Sequence, residues 1–215
     1  EDFIRKAKSV DMIYLDSPNN PTGFQFSNKD LEKLIKSFSG PVIIDEAYGE
    51  FSNSSVLRLV KKYPNLILVK TLSKAFGLAG LRVGYMIADK KFTEIFSNVI
   101  QYPYPLNTLA IECGILALEK SKQITSIFEN IKKQRTRVIQ NLKKYDAFDV
   151  FDSNANFVLF DAKGADTRVY NALIEQGISI RKLGKLASHK GCLRVTIGTS
   201  DMNSKFLLAI RDLLE

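Results

Sequence analysis

The chain has 215 residues, 45% hydrophobic, 25% charged and 10% aromatic, which excludes disordered, collagen-like and low-complexity classes. Thirty-one basic residues against 23 acidic ones leave a formal charge of +8, favouring anionic partners; the basic residues are scattered, so phosphorylated small molecules satisfy this as well as nucleic acid does. Two cysteines, Cys113 and Cys192, cannot form a disulfide framework and fit a reducing, cytoplasmic compartment, and no apolar run approaches the ~18 residues of a membrane span.

From residue 10 to about 90, short apolar runs alternate with helical patterns. Residues 12–15, 42–44, 66–69 and 83–88 are near-continuously apolar, as strands are when both faces of a sheet are covered. Between the first two runs lies Ser27-Asn28-Lys29-Asp30, a capping-box-like start with Asp in the usual place of Glu, followed by Leu31, Leu34, Ile35 and Phe38 at helical spacing. A weaker helix is predicted over 54–62, stopping before Pro64. Strands separated by helices predict an α/β sheet, largely parallel.

Leu106, Leu109, Ala110, Cys113 and Ala117 then form one helical stripe. Ile124, Ile127, Phe128, Ile131, Val138 and Leu142 form a longer one, with Lys132, Lys133, Arg135 and Arg137 read as a solvated basic face. After Tyr145 the pattern predicts a strand over 157–160, a helix over 167–176, strands over 178–181 and 193–196, and a last helix over 201–214. The expected organisation is a truncated α/β large domain over residues 1–120, then a connecting helix and a small α+β C-terminal domain over 121–215. The start at Glu1, with charges throughout the first ten residues and no signal-peptide core, reads as a piece of a longer polypeptide.

Three loops each follow a predicted strand at its carboxyl end, where α/β sheets place ligand sites. They are Ser17-Pro-Asn-Asn-Pro-Thr-Gly23, Asp45-Glu-Ala-Tyr48, and Thr71-Leu-Ser-Lys-Ala-Phe-Gly-Leu-Ala-Gly-Leu-Arg-Val-Gly84. Singly, Asn-Pro-Thr-Gly could be turn chemistry, Asp45 and Tyr48 a cap and a core aromatic, and Lys74 an exposed lysine. Their order and gaps together carry the signal. In the C-terminal part, the 178–181 run ends on Arg181, and Arg194 lies within Leu193-Arg-Val-Thr-Ile-Gly198; an arginine in a strand needs an anionic partner. His189, the only histidine, falls in a polar stretch that reads as a loop, both cysteines read as packing residues, and no metal site is expected.

On these motifs, from Asn20 through Arg194, the sequence resembles the fold-type I pyridoxal-phosphate aminotransferases, whose cofactor lysine sits in a Ser-x-Ser-Lys-x7-Arg type segment matched by Lys74 and Arg82. The resemblance implies a three-layer large domain with a mostly parallel sheet and makes Lys74 the Schiff-base lysine. A lysine amine condenses with an aldehyde, and for that Lys74 should be partly desolvated and near other positive groups. A buried carboxylate at Asp45 would hold the proton on the pyridine nitrogen. Tyr48 and Asn20 would hydrogen-bond the cofactor's phenolic oxygen, and Thr71, Ser73 and Arg82 would hold its phosphate. Gly77, Gly80 and Gly84 are expected to permit close backbone approach. Arg181, Arg194 and Asn20 would bind substrate.

Within that family the motifs are most similar to the histidinol-phosphate aminotransferases, which exchange an amino group between histidinol phosphate and 2-oxoglutarate in histidine biosynthesis. Threonine-phosphate decarboxylases, other amino-acid aminotransferases and a non-catalytic effector domain of a transcription regulator are the alternatives. The resemblance also implies a homodimer, with neither nucleic acid nor membrane as partner. It implies too that the family's large domain begins well before Asn-Pro-Thr-Gly. The isolated chain is therefore expected to have an incomplete site, an exposed sheet edge and no activity.

Overall fold

The computed structural model describes residues 10–215, which fall into two compact units. One comprises the residues up to Asn19 together with Gln25–Thr125; the other comprises Asn20–Phe24 and Ser126–Glu215. Among the described residues no helix is long and apolar enough to cross a membrane.

The first unit is built on a four-stranded sheet of order β1-β2-β3-β4. Strands β1 (Ile13–Asp16), β2 (Val42–Asp45) and β3 (Leu66–Thr71) are parallel, and β4 (Gly84–Ile87) runs antiparallel to β3. All four expected strands are present. Strand β3 outlasts its apolar run because pairing with β4 continues through Lys70↔Tyr85 and Thr71↔Gly84. Helix α1 (Asn28–Ser37) starts where its cap predicts: the Ser27 Oγ accepts the Asp30 N–H at 3.1 Å and donates to the Asp30 carboxylate at 2.5 Å. It lays Leu31, Leu34 and Ile35 on Ile13, Val42, Ile44, Leu66 and Leu68.

Helix α2 (Leu57–Val60) is shorter than the predicted 54–62. Its first residues are taken by a turn, in which the Ser54 carbonyl accepts from Gln25 and Ser52 and the Ser55 hydroxyl donates to Glu46. After β4 come α3 (Lys90–Ile95), a wider turn over Phe96–Ile100 and α4 (Thr108–Glu119). On α4 the buried line runs through Ala110 and Gly114 against Leu72 and Val83, so Leu109, expected on the stripe, is 66% exposed. Ile111, Ile115, Leu116 and Leu118 are exposed too; an all-round apolar helix has no polar boundary from which to read its buried face.

In the second unit an antiparallel sheet of order β5-β6-β8-β7 packs with three helices, α5 (Thr125–Leu142), α6 (Asp166–Glu175) and α7 (Ser200–Leu214). Its strands are β5 (Asp149–Val150), β6 (Phe157–Asp161), β7 (Arg181–Leu186) and β8 (His189–Thr196). The core holds Val138, Leu142, Phe160, Leu173, Leu193, Phe206 and Ile210.

Three expectations are corrected here. Residues 178–180 are not a strand: Ile178 N–H still donates to Leu173 O to close α6, so Arg181 begins β7 rather than ending a strand. His189 lies in β8 rather than in a loop, edge-on to Phe151 and 3.1 Å from Asp161. Arg135 is buried, not solvated. Its guanidinium donates to Ala155 O at 2.7 Å, and burial pulls its pKa down.

Candidate active site

The carboxyl ends of β2 and β3 carry the residues expected on the cofactor side. Asp45 ends β2 and is half-buried rather than fully buried. Its Oδ1 accepts the Ala47 N–H at 2.8 Å, and its Oδ2 accepts the hydroxyl of Tyr14 on β1. Tyr48 is buried, and the Lys74 Nζ lies 5.7 Å from its ring centroid, within cation–π range. Lys74 itself is exposed, not desolvated as expected: after β3 it is Leu72 that turns into the core. The Thr71 hydroxyl donates to Val83 O at 3.2 Å and accepts the Ser73 N–H at 3.1 Å, folding the start of this loop onto itself.

Arg82 is exposed and sits at φ 58°, the left-handed region, with Nη1 donating to Ala79 O at 3.1 Å. For a side chain this large that backbone costs on the order of 1 kcal/mol or more, so local preference does not account for an arginine here. Of the three glycines expected to allow close approach, only Gly84 does so among the described residues, where an added Cβ would lie 3.1 Å from Lys70 O. Gly77 is needed instead for its φ of 69°, and at Gly80 an added Cβ would meet no atom within 4 Å.

Sequence reasoning missed the charges that fasten this loop. The Lys70 ammonium lies 2.9 Å from Glu50 and 3.4 Å from Glu46. Burial alone would lower the Lys70 pKa, but the two carboxylates outweigh it and hold the ammonium above its usual range. Glu46 is buried and accepts from Val56 N–H and Ser55 Oγ, each at 2.7 Å, so the segment bearing Tyr48 is held at both ends. The available signal was one lysine and two glutamates interrupting otherwise apolar stretches.

In the second unit, Arg181 and Arg194 are directly opposite one another across β7 and β8. Arg194 Nη1 donates to Asn20 Oδ1 at 2.5 Å, and its guanidinium carbon lies 4.7 Å from the Phe157 ring centroid. Its Nε is buried and has no hydrogen-bond partner among the described residues. Both arginines line a cleft of about 430 Å³ with Tyr170, Ser179, Lys182 and Thr196. Lys182, a further cation not anticipated, is engaged by Thr167 at 2.5 Å and lies 3.6 Å from Asp166. Like charges opposed across a sheet are unfavourable, and a buried donor without an acceptor is costly. Asn20 is held by the turn closing at Gly23, where φ is 73° and a Cβ would lie 2.2 Å from Ser153 Oγ, so only glycine fits.

Asp149, Asp161 and His189 place ligand-type atoms within 4.8 Å of one another. Asp161 is already occupied by the N–H groups of Lys163 and Gly191 and by His189, and Asp149 by Lys163. The cluster reads as a structural clasp. Burial works to raise the Asp161 pKa, yet the backbone and histidine contacts prevail and leave it below the usual carboxylate range.

The family description "Aminotransferase class I and II" matches residues 1–210. The chain belongs to this family. A histidinol-phosphate aminotransferase of Flavobacterium psychrophilum is 39% identical over 208 residues, covering 96% of this chain and 59% of the relative. Among solved aminotransferase-fold structures, the histidinol-phosphate aminotransferase from Clostridium acetobutylicum has a TM-score of 0.89 at 29% identity, covering 99% of this chain and 66% of that one. The L-threonine-O-3-phosphate decarboxylase from Porphyromonas gingivalis follows with a TM-score of 0.84 at 26% identity, covering 95% and 65%. The chain thus spans about three-fifths of the length of the curated aminotransferases it matches.

Proposed function

We propose that the chain supplies the lysine-bearing and anion-binding residues of a pyridoxal-phosphate-dependent aminotransferase acting on histidinol phosphate and 2-oxoglutarate. The observation that carries the substrate class is the opposed pair Arg181 and Arg194, which line one cleft together with Lys182. A phosphate dianion matches two guanidinium groups, and a glutamate carboxylate matches one of them in the second half-reaction.

The donor set of the first unit fits the cofactor group by group. A primary amine at Lys74 suits its aldehyde, a carboxylate at Asp45 its ring nitrogen, and a phenol at Tyr48 its phenolic oxygen. The hydroxyl of Ser73 and the guanidinium of Arg82 suit its phosphate, and the Thr71 hydroxyl joins them on giving up its bond to Val83 O. When bound, pyridoxal phosphate supplies an electron sink for the carbon that carries the amino group. Lys74 then takes and returns the proton at its Nζ. Asp45 keeps the ring nitrogen protonated, and Tyr48, buried beside the amine, donates to the phenolic oxygen and limits water there. Arg181 and Arg194 bind and orient substrate anions, and Asn20 fixes the direction of Arg194 through its amide oxygen. The assembled enzyme is a homodimer.

The same cleft also suits O-phosphothreonine, the substrate named for the Porphyromonas gingivalis neighbour. The deciding experiment incubates holoenzyme with histidinol phosphate plus 2-oxoglutarate, and separately with O-phosphothreonine. Glutamate formation with the first pair supports the transaminase reading. Carbon dioxide release from the second supports the decarboxylase, and the formation of neither product would refute the phosphate-substrate assignment.

A further inference from the structure

Strand β1 contributes a residue to this site that the three loop motifs do not contain. Tyr14 pairs in register with Ile43 while Asp16 pairs with Asp45, so Tyr14 is the diagonal neighbour of Asp45 on one face of the sheet. An aromatic side chain spans such a diagonal, and the Tyr14 hydroxyl donates to Asp45 Oδ2. With Ala47 N–H on Oδ1, both carboxylate oxygens have a donor from the protein. Each oxygen keeps a second lone-pair direction for a further donor.

We propose that Tyr14 is a positioning residue, which fixes the orientation of the Asp45 carboxylate before a cofactor ring binds. This rests on the assignment of Asp45 to the ring nitrogen. Tyr14 is suited to act as a fixed donor. Burial first, then the hydrogen bond to Asp45 and the charges of Asp45 and Asp16, raise its pKa well above the usual phenol value, so it stays protonated at neutral pH. Tyr14 is 55% exposed, so Tyr14→Phe removes the hydroxyl without opening a cavity in the core. An unanchored carboxylate must be ordered when the cofactor arrives, and that cost appears in affinity.

The test is a double-mutant cycle read by cofactor affinity, titrating pyridoxal phosphate into apo-enzyme and following absorbance. Tyr14→Phe is expected to weaken binding about fivefold, the net worth of one hydrogen bond. In the Asp45→Ala background the same substitution should change affinity less than twofold, because the group through which Tyr14 acts is gone. If Asp45→Ala leaves affinity unchanged, the ring-nitrogen assignment itself fails. If Asp45→Ala weakens binding but Tyr14→Phe does not, or the two losses add, the role of Tyr14 is overturned.

Discussion

Arg181 and Arg194 face each other across β7 and β8, so removing one of the two positive charges should stabilise the second unit when no anion is bound. A like-charged cross-strand pair is unfavourable by roughly 0.2–1 kcal/mol, and because Arg181 is exposed we take about 0.5 kcal/mol. Chains of roughly 150–250 residues shift about 2–4 °C per kcal/mol, so Arg181→Gln should raise the phosphate-free melting temperature by about 1–2 °C. Anion binding should show the opposite sign. Inorganic phosphate at ~100 times its wild-type Kd stabilises the native protein by about 2.7 kcal/mol. Losing a charge-assisted contact that weakens affinity about tenfold would reduce this to roughly 1.4 kcal/mol at the same concentration. Differential scanning calorimetry with and without phosphate measures both quantities. A variant that melts lower without phosphate, or keeps the whole phosphate shift, would refute the reading of this pair as an anion site.

Two further predictions rest on named contacts. Arg82→Gly relieves a left-handed backbone while adding chain entropy, so thermal stability should stay within about 1 kcal/mol of wild type. Cofactor affinity should nevertheless fall at least about tenfold with the guanidinium gone; a loss of stability above about 2 kcal/mol, with affinity retained, would make Arg82 structural instead. Asp161 has a depressed folded-state pKa, so its stabilisation is complete above the unfolded carboxylate value of about 4 and is lost as pH falls through the folded value. Asp161→Asn should therefore lower stability at neutral pH by about 1.5–3 kcal/mol and flatten the acid limb of a denaturation-versus-pH curve; an unchanged acid limb would count against the clasp.

The parallel strands were legible because apolar runs ending near Leu15, Ile44 and Val69 are too short for helices, although β1 leaves Tyr14 exposed on one face. The cap at Ser27 was equally explicit. Arg135 was misread from its basic neighbours although its position held the answer: Phe128, Ile131, Arg135, Val138 and Leu142 follow spacings of three and four, which place it on the buried face. His189 was hidden for another reason. Its partner Asp161 is 28 residues away, and a polar hairpin tip looks like a loop until pairing is known. The chemistry-bearing residues Asp45, Tyr48, Lys74 and Arg82 stood out through shared motif spacing. Tyr14 did not, because only strand register brings it beside Asp45.

The proposed chemistry turns on which amine joins the cofactor. Borohydride reduction of the cofactor-loaded enzyme, followed by peptide mapping with mass spectrometry, locates that amine directly. A single pyridoxyl-phosphate adduct is expected on Lys74, the lysine that stands over Tyr48. An adduct on any other lysine, Lys70 included, or no adduct in protein that binds the cofactor, would contradict it.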